Sequence, residues 1–126
     1  MIKPWTLGLL LLLPACSDTP HGPITYQVTY QLSGSAGITF DSVRYENTQG
    51  ALVKVAAPSS GWFVAFSAMT GSYVQADAWT VASNGGASAK LKVTWTVNGV
   101  STGADSSMAT AAAPGAFTLV VSRRRL

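Results

Sequence analysis

The chain has a single thiol, Cys16, and a single imidazole, His21, and these are the first residues to consider for catalysis. Both lie near the amino terminus, ahead of the first stretch with the pattern of a folded strand. A catalytic nucleophile needs a base held beside it by a folded scaffold. The sequence therefore does not predict Ser-His-Asp or Cys-His chemistry.

The carboxylates do not form an evident catalytic pair or metal site in the sequence. Asp41 and Glu46 lie on one candidate strand at an odd spacing, so they face opposite sides unless a bulge intervenes. Asp77 and Asp105 have no obvious companion, and His21 has a single carboxylate nearby, which is a poor set of metal ligands. We expect no catalytic residue, no metal and no cofactor, and therefore a protein that is not an enzyme.

The first 15 residues have the features of an export signal. Lys3 precedes the apolar run "WTLGLLLLL", whose length suits the hydrophobic core of a signal peptide. A membrane-spanning helix needs roughly 17 to 25 apolar residues, and this run ends sooner, at Pro14. We expect residues 1–15 to be a removable signal peptide and not a permanent transmembrane anchor.

The end of this leader favours a lipoprotein over an ordinary secreted protein. An ordinary cleavage site has small residues at positions −3 and −1, but cleavage before Cys16 puts Leu13 at −3. The sequence "LPAC" resembles the lipobox of bacterial lipoproteins, with Pro14 as a departure at −2. The resemblance implies that Cys16 becomes the mature amino terminus and carries lipid on its sulfur and its amine. The alternative is a free thiol, since the chain has no second cysteine.

Lipid on Cys16 implies a protein of the bacterial cell envelope with its domain outside the cytoplasm. An acylated cysteine with more than one chain is a stable tether, because each buried CH₂ contributes ~0.8 kcal/mol. Ser17 favours the outer membrane in the sorting pattern known for lipoproteins of enteric bacteria. Residues 16–23 are polar and contain prolines, so we expect a semi-extended spacer between lipid and domain.

From residue 24 onward the sequence alternates with the period of a β-strand. "ITYQVTYQL" and "AKLKVTWTV" each place apolar side chains on one face and Thr, Gln or Lys on the other. Asn98-Gly99 then predicts a tight hairpin turn, and the phase change after Phe40 predicts a bulge near Asp41-Ser42. Seven or eight short strands at this spacing predict a single all-β domain over residues 24–122, a two-layer antiparallel sandwich. The expected major core residues are Tyr26, Phe40, Trp62, Phe66 and Trp95.

The fifth candidate strand, residues 73–81, admits two packings. If its small residues point inward, Tyr73, Gln75, Asp77 and Trp79 share the outer face, a combination of aromatic and hydrogen-bonding groups found on sugar-binding sheets. In the simpler packing, which the sequence favours, the alanines face solvent and the two aromatic rings fill the core.

The net charge of +3 comes from the two ends of the chain. Without Lys3 and the arginines of the terminal segment 123–126, the chain has fewer cations than carboxylates. Nucleic-acid binding needs several Lys or Arg on one folded face, so we do not expect it. We expect residues 123–126 to be a solvated basic tail, with attraction to anionic lipid or cell-surface polymer as the alternative.

The order of short motifs from "YQVTYQL" through "SYVQADA" to "KVTWTVNG" resembles the extracytoplasmic domain of MmpS-like proteins, over residues 24–99. That family implies an Ig-like β-sandwich and an accessory role beside an envelope transporter. MmpS proteins keep a transmembrane helix and many have a cysteine pair, and this chain departs from both. We therefore expect a non-catalytic, lipid-anchored binding or accessory module. The alternative is a structural or adhesive domain that contacts surface polymer or carbohydrate.

Overall fold

In the computed structural model, residues 22–81 and 83–126 are described, and they fold into eight β-strands without a helix. The strands are β1 (Thr25–Gly34), β2 (Phe40–Glu46), β3 (Leu52–Ala56), β4 (Phe63–Met69), β5 (Tyr73–Thr80), β6 (Ser88–Val97), β7 (Val100–Thr110) and β8 (Thr118–Arg125). The predicted signal peptide, Cys16 and most of the predicted spacer lie outside the described residues. In the part of the chain that is described, no helix has the length and hydrophobicity to cross a membrane.

The strands form two four-stranded antiparallel sheets, ordered β4-β1-β6-β7 and β3-β2-β5-β8. Among the described connections, β2–β3 and β6–β7 are hairpins within one sheet, and the others cross between the sheets. Crossing connections of this kind are typical of Ig-like sandwiches. The prediction of an all-β antiparallel sandwich of seven to eight strands is confirmed.

The core lies between the sheets and is built largely on β1 and β6, the central strands of the first sheet. Their inward side chains form cross-strand pairs: Val28 with Trp95, Tyr30 with Val93, and Leu32 with Leu91. All six are buried, and their outward neighbours are polar. The predicted alternation of both strands is confirmed, because burying one face of each strand selects that register.

The predicted core is only partly correct. Phe40 and Trp95 are buried, whereas Tyr26, Trp62 and Phe66 are half-buried at the margin of the core. The large, fully buried aromatic residue is instead Tyr30, which the alternation of "ITYQVTYQL" places on the inward face but which was not among the expected major core residues. Its hydroxyl can be buried because it is hydrogen-bonded, as described below.

Local geometry confirms two of the predicted irregularities. Asn98 and Gly99 both have positive φ, 51° and 78°, as a two-residue hairpin turn requires. The register between β2 and β5 shifts between Phe40 and Ser42, where the bulge was expected. These two features set which side chains of β2 and β7 face outward.

Candidate binding face

The alternation of β5 determines which of its side chains can meet a ligand. Val74, Ala76 and Ala78 are buried, so the other four predicted residues lie together on the outer face of the β3-β2-β5-β8 sheet. These residues are Tyr73, Gln75, Asp77 and Trp79. The simpler packing, with alanines facing solvent, is wrong. Large side chains from the opposite sheet, Tyr30 foremost, fill the core against the small residues of β5.

Arg44, on β2, is the cross-strand neighbour of Asp77. Its side chain contacts both Asp77 and Trp79 on this face. The Arg44 guanidinium donates two hydrogen bonds to the Asp77 carboxylate, Nε to Oδ1 at 3.0 Å and Nη2 to Oδ2 at 2.7 Å. Its Cζ also lies 4.6 Å from the centroid of the Trp79 ring. The hydrogen bonds to Asp77 raise the pKa of Arg44 above its ordinary value. Arg44, Asp77 and Trp79 form what we call the Trp79 cluster.

A second group of the same composition lies further along the face. Arg123 donates from Nε and Nη2 to the two carboxylate oxygens of Glu46, at 3.1 and 2.9 Å. Its Cζ is 3.7 Å from the centroid of the Tyr73 ring. The Glu46 side chain is only 1% exposed, whereas that of Arg123 is 51% exposed. The hydrogen bonds to Glu46 raise the pKa of Arg123. We call Glu46, Tyr73 and Arg123 the Tyr73 cluster.

The prediction that residues 123–126 form a tail is wrong, because the arginines belong to β8, although their side chains are solvent-exposed as expected. Arg124 and Arg125 pair with Val74 and Tyr73 in the β5–β8 ladder. Leu126 donates its backbone N–H to the carbonyl of Ser72 at 2.8 Å. The domain therefore extends beyond residue 122, because the ladder and the Glu46 carboxylate hold the arginines in the sheet.

Gln75 connects this face to the core. The register of β5 against β8 shifts between Val74 and Ala76, and at this bulge the Gln75 backbone N–H donates to the Tyr30 hydroxyl at 3.3 Å. The same hydroxyl donates to the carbonyl oxygen of Glu46 at 3.1 Å. Burial raises the pKa of the Tyr30 phenol well above its ordinary range. Tyr30, from the opposite sheet, thus fixes β2 and β5 at the point where the two clusters meet.

Each cluster borders an open depression. One, of about 370 Å³, lies between Tyr73, Arg123 and the turns that follow β2 and β4. The other, of about 310 Å³, is lined by Asp41, Ser42, Arg44, Lys54 and Trp79. Both are open; the first is mainly polar and the second is lined about equally by polar and apolar surface. Open depressions of this kind suit contact with a polar or macromolecular ligand better than enclosure of a small apolar one.

The two clusters define what this face can do chemically. Two of its carboxylates, Asp77 and Glu46, are engaged by arginines, so neither is poised as a general base. The third, Asp41, accepts a hydrogen bond from the Ser42 hydroxyl. Each aromatic ring has a guanidinium over one face, which reduces the ring surface left for stacking on a sugar. The groups still offered to a ligand are mainly cationic and aromatic. Arg44, Lys54 and Trp79, with the carboxylate of Asp41, surround one depression, and Arg123 and Tyr73 border the other.

Three important residues of this face, Arg44, Glu46 and Arg123, were not predicted as site residues. Arg44 and Glu46 face outward because the bulge before Ser42 shifts the phase of β2, and that bulge was predicted. The sequence therefore contained the signal for these two. For Arg123 it contained none, because its position depends on pairing between distant strands.

The other residues considered for catalysis or metal binding are placed as follows. Cys16 and His21 lie outside the described residues. Asp41 accepts a hydrogen bond from the Ser42 hydroxyl at 3.0 Å, while Glu46 is held by Arg123. Within residues 22–81 and 83–126, no three His, Cys, Asp or Glu side chains are grouped to hold a metal ion.

Comparisons with protein-family models, with curated proteins and with solved structures found no match to this chain.

Proposed function

We propose that the protein is a non-catalytic binding or accessory module of a bacterial cell envelope, tethered to the membrane by lipid on Cys16. In this proposal its ligand is contacted by the outer face of the β3-β2-β5-β8 sheet. The observation that carries the proposal is the composition of that face: two arginines, each paired with a carboxylate and lying over an aromatic ring. Such groups provide hydrogen bonds, charge and stacking, which are the means of binding.

The tether part of the proposal is supported by the leader sequence. "LPAC" resembles a lipobox, and the short polar segment that follows suits a spacer. Ser17 supports an outer-membrane location. Anchoring raises the effective concentration of the module near other envelope components, so binding alone is sufficient for an accessory role.

An envelope transporter is the partner that we favour. The MmpS-like order of motifs over residues 24–99 supports an accessory role of this kind. A transporter domain would meet the module as a protein surface, and Arg and Trp are the residue types that most often dominate such contacts.

The test has two parts. Cells that express the wild type or Cys16→Ser are labelled with a radioactive fatty acid; we expect label in the wild type only, and equal absence of label would contradict the tether. The wild type, Trp79→Ala and Met108→Ala are then used as baits in envelope extracts. Met108 is 70% exposed on the other sheet, so we expect Trp79→Ala to lose a stoichiometric membrane partner and Met108→Ala to keep it.

A structural or adhesive role is the second candidate, and a different surface favours it. The outer face of the β4-β1-β6-β7 sheet is rich in neutral hydrogen-bonding side chains, with Thr29 opposite Thr94 and Gln27 opposite Thr96. A flat face of this composition suits a polysaccharide. Retention of the wild type on envelope polymer, without any protein partner and without an effect of Trp79→Ala, would favour this second role.

A further inference from the structure

One end of the sandwich is where the described chain begins, and we call it the anchor end. Ile24 lies there, immediately before β1, and exchanges hydrogen bonds with Thr70: the Ile24 N–H donates to Thr70 Oγ1, and the Thr70 N–H donates to the Ile24 carbonyl, both at 2.9 Å. The Gly71 N–H donates to the carbonyl of Leu126 at 2.9 Å. The Asn98-Gly99 turn is at the same end, because Gln27 pairs with Thr96.

The anchor end is basic. Arg123, Arg124 and Arg125 are the last residues of β8, and their side chains are exposed. Of the four acidic residues in the described chain, Glu46 alone lies at this end, and it is paired with Arg123. Arg124 and Arg125 therefore give this end a local positive charge.

The connections at the opposite end carry no arginine, and the exposed charged residue beside them is Asp41, near the start of β2. These connections are "GSAGIT", "APSSGW", "AAAPGAF" and the one between β5 and β6, of which residues 81 and 83–87 are described, and none of these contains a charged residue. Arg123, Arg124 and Arg125 are therefore gathered at one end of the domain, the end where the described chain begins.

The anchor end also exposes apolar side chains around its rim. Ile24 is 42% exposed, Met69 51% and Val100 67%. Ile24 precedes β1, Met69 ends β4 and Val100 begins β7, so the three are distributed around this end of the domain. Arginines mixed with isolated apolar side chains are typical of a surface that lies in the headgroup region of a bilayer.

The spacer is short enough to keep this end near the membrane. Cys16 and Ile24 are eight residues apart, which is at most about 29 Å of extended chain. A short tether holds the domain at an effective concentration in the millimolar range, so a weak contact is sufficient for docking.

We propose that the domain docks on the surface of an anionic bilayer through its anchor end, with Arg124 and Arg125 on the headgroups and Val100 at the level of the interface. The inference rests on the proposed lipid anchor at Cys16. Docking in this orientation directs the opposite end away from the membrane. It leaves the Trp79 cluster on the side of the domain and places the Tyr73 cluster next to the bilayer, because Tyr73 pairs with Arg125.

The test uses the lipidated protein with one added cysteine carrying a nitroxide label, since lipid blocks the sulfur of Cys16. Val100→Cys reports on the anchor end, and Met108→Cys, on the same strand and 70% exposed, is the matched control. Collision with a water-soluble nickel complex is measured on vesicles of phosphatidylcholine alone and of phosphatidylcholine mixed with phosphatidylglycerol. We expect several-fold protection at Val100→Cys on the anionic vesicles and none at Met108→Cys.

The role of charge is tested with the double variant Arg124→Gln and Arg125→Gln in the Val100→Cys background. Each arginine near an anionic surface contributes a factor of about five in binding, so the protection should be largely lost. The control is Lys90→Gln with Lys92→Gln on the outer face of the other sheet, which should keep the protection.

The outcomes separate the two proposals. A chain without lipid on Cys16, seen in the mass of its amino-terminal peptide, would overturn the proposed anchor and this inference with it. A lipidated chain in which the labels at Val100→Cys and Met108→Cys are equally open to the nickel complex would overturn this inference alone.

Discussion

At the scale of single residues, Tyr30 does most to connect the core with the outer face. Its ring is completely buried, and its hydroxyl bridges the Glu46 carbonyl and the Gln75 N–H. These are buried groups of two adjacent strands, and a buried polar group without a partner costs about 1–3 kcal/mol. One phenol from the opposite sheet therefore keeps the binding face in register.

The raised pKa of Tyr30 predicts how stability changes in alkali. Below the ordinary tyrosine pKa of about 10 the phenol is neutral in both the folded and unfolded chains. Above it, the unfolded chain releases the Tyr30 proton while the folded chain retains it, so stability falls as the pH rises. Urea unfolding of the wild type and of Tyr30→Phe from pH 8 to 11 measures this loss.

We expect Tyr30→Phe to be less stable than the wild type by about 1–3 kcal/mol at pH 8, with a smaller further loss as the pH rises. Tyr26→Phe, a half-buried tyrosine of the same strand, is the matched control and should keep the pH dependence of the wild type. Identical alkaline slopes for the wild type and Tyr30→Phe would show that Tyr30 is not the group responsible.

Gly103 has a steric role beside Trp95. The two residues are paired across β6 and β7, and a Cβ added at Gly103 would overlap the Trp95 indole ring. Gly103→Ala should therefore destabilise the domain by about 1–3 kcal/mol, the usual cost of overpacking a core. Gly115→Ala is the control, because a Cβ there meets no atom within 4 Å. Equal denaturation midpoints for the two variants would contradict this account of the Trp95 packing.

At the scale of elements, β8 shows how an edge strand is fixed by its partners. Leu119 and Val121 are buried, as the apolar part of the strand predicts. The arginines that follow belong to the same strand because its ladder with β5 continues past a bulge and Arg123 neutralises the buried Glu46 carboxylate. The arginines at the end of β8 are thus exposed to solvent and are also part of the sheet.

Arg123→Ala should lower the denaturation midpoint, because it leaves the Glu46 carboxylate buried without its partner. Arg125→Ala removes an exposed arginine of the same strand and should have a much smaller effect. Arg123→Ala combined with Glu46→Gln should recover part of the loss, since the amide carries no charge. A midpoint for Arg123→Ala that matches that of Arg125→Ala would contradict the structural role of the pair.

The sequence predicts the elements whose alternation or turn residues determine their structure locally. β1 and β6 alternate cleanly, Asn98-Gly99 specifies a turn, and the phase change after Phe40 marks a bulge, so all of these were predictable. The packing of β5 was not, because alternation gives two faces but not which one is buried. That choice depends on Tyr30 in the other sheet, and the position of Arg123 depends on a carboxylate far away along the chain.

At the scale of the whole molecule, the domain has two distinct surfaces. Its outer β3-β2-β5-β8 face carries the Trp79 and Tyr73 clusters, which we propose as the binding surface. Its anchor end carries the exposed arginines and the start of the chain that leads to Cys16. A module tethered and docked in this way presents its Trp79 cluster sideways, toward other components at the membrane surface.

The central claim is that this is a lipid-anchored envelope module, and the amino-terminal peptide of the mature protein tests it most directly. The protein is extracted from the envelope of expressing cells, digested, and its first peptide is analysed by mass spectrometry. The account predicts a peptide that begins at Cys16 and carries the mass of a diacylglyceryl group, with or without a further acyl chain on the amine. A mature protein that retains residues 1–15, or begins at another residue with an unmodified Cys16, would contradict it.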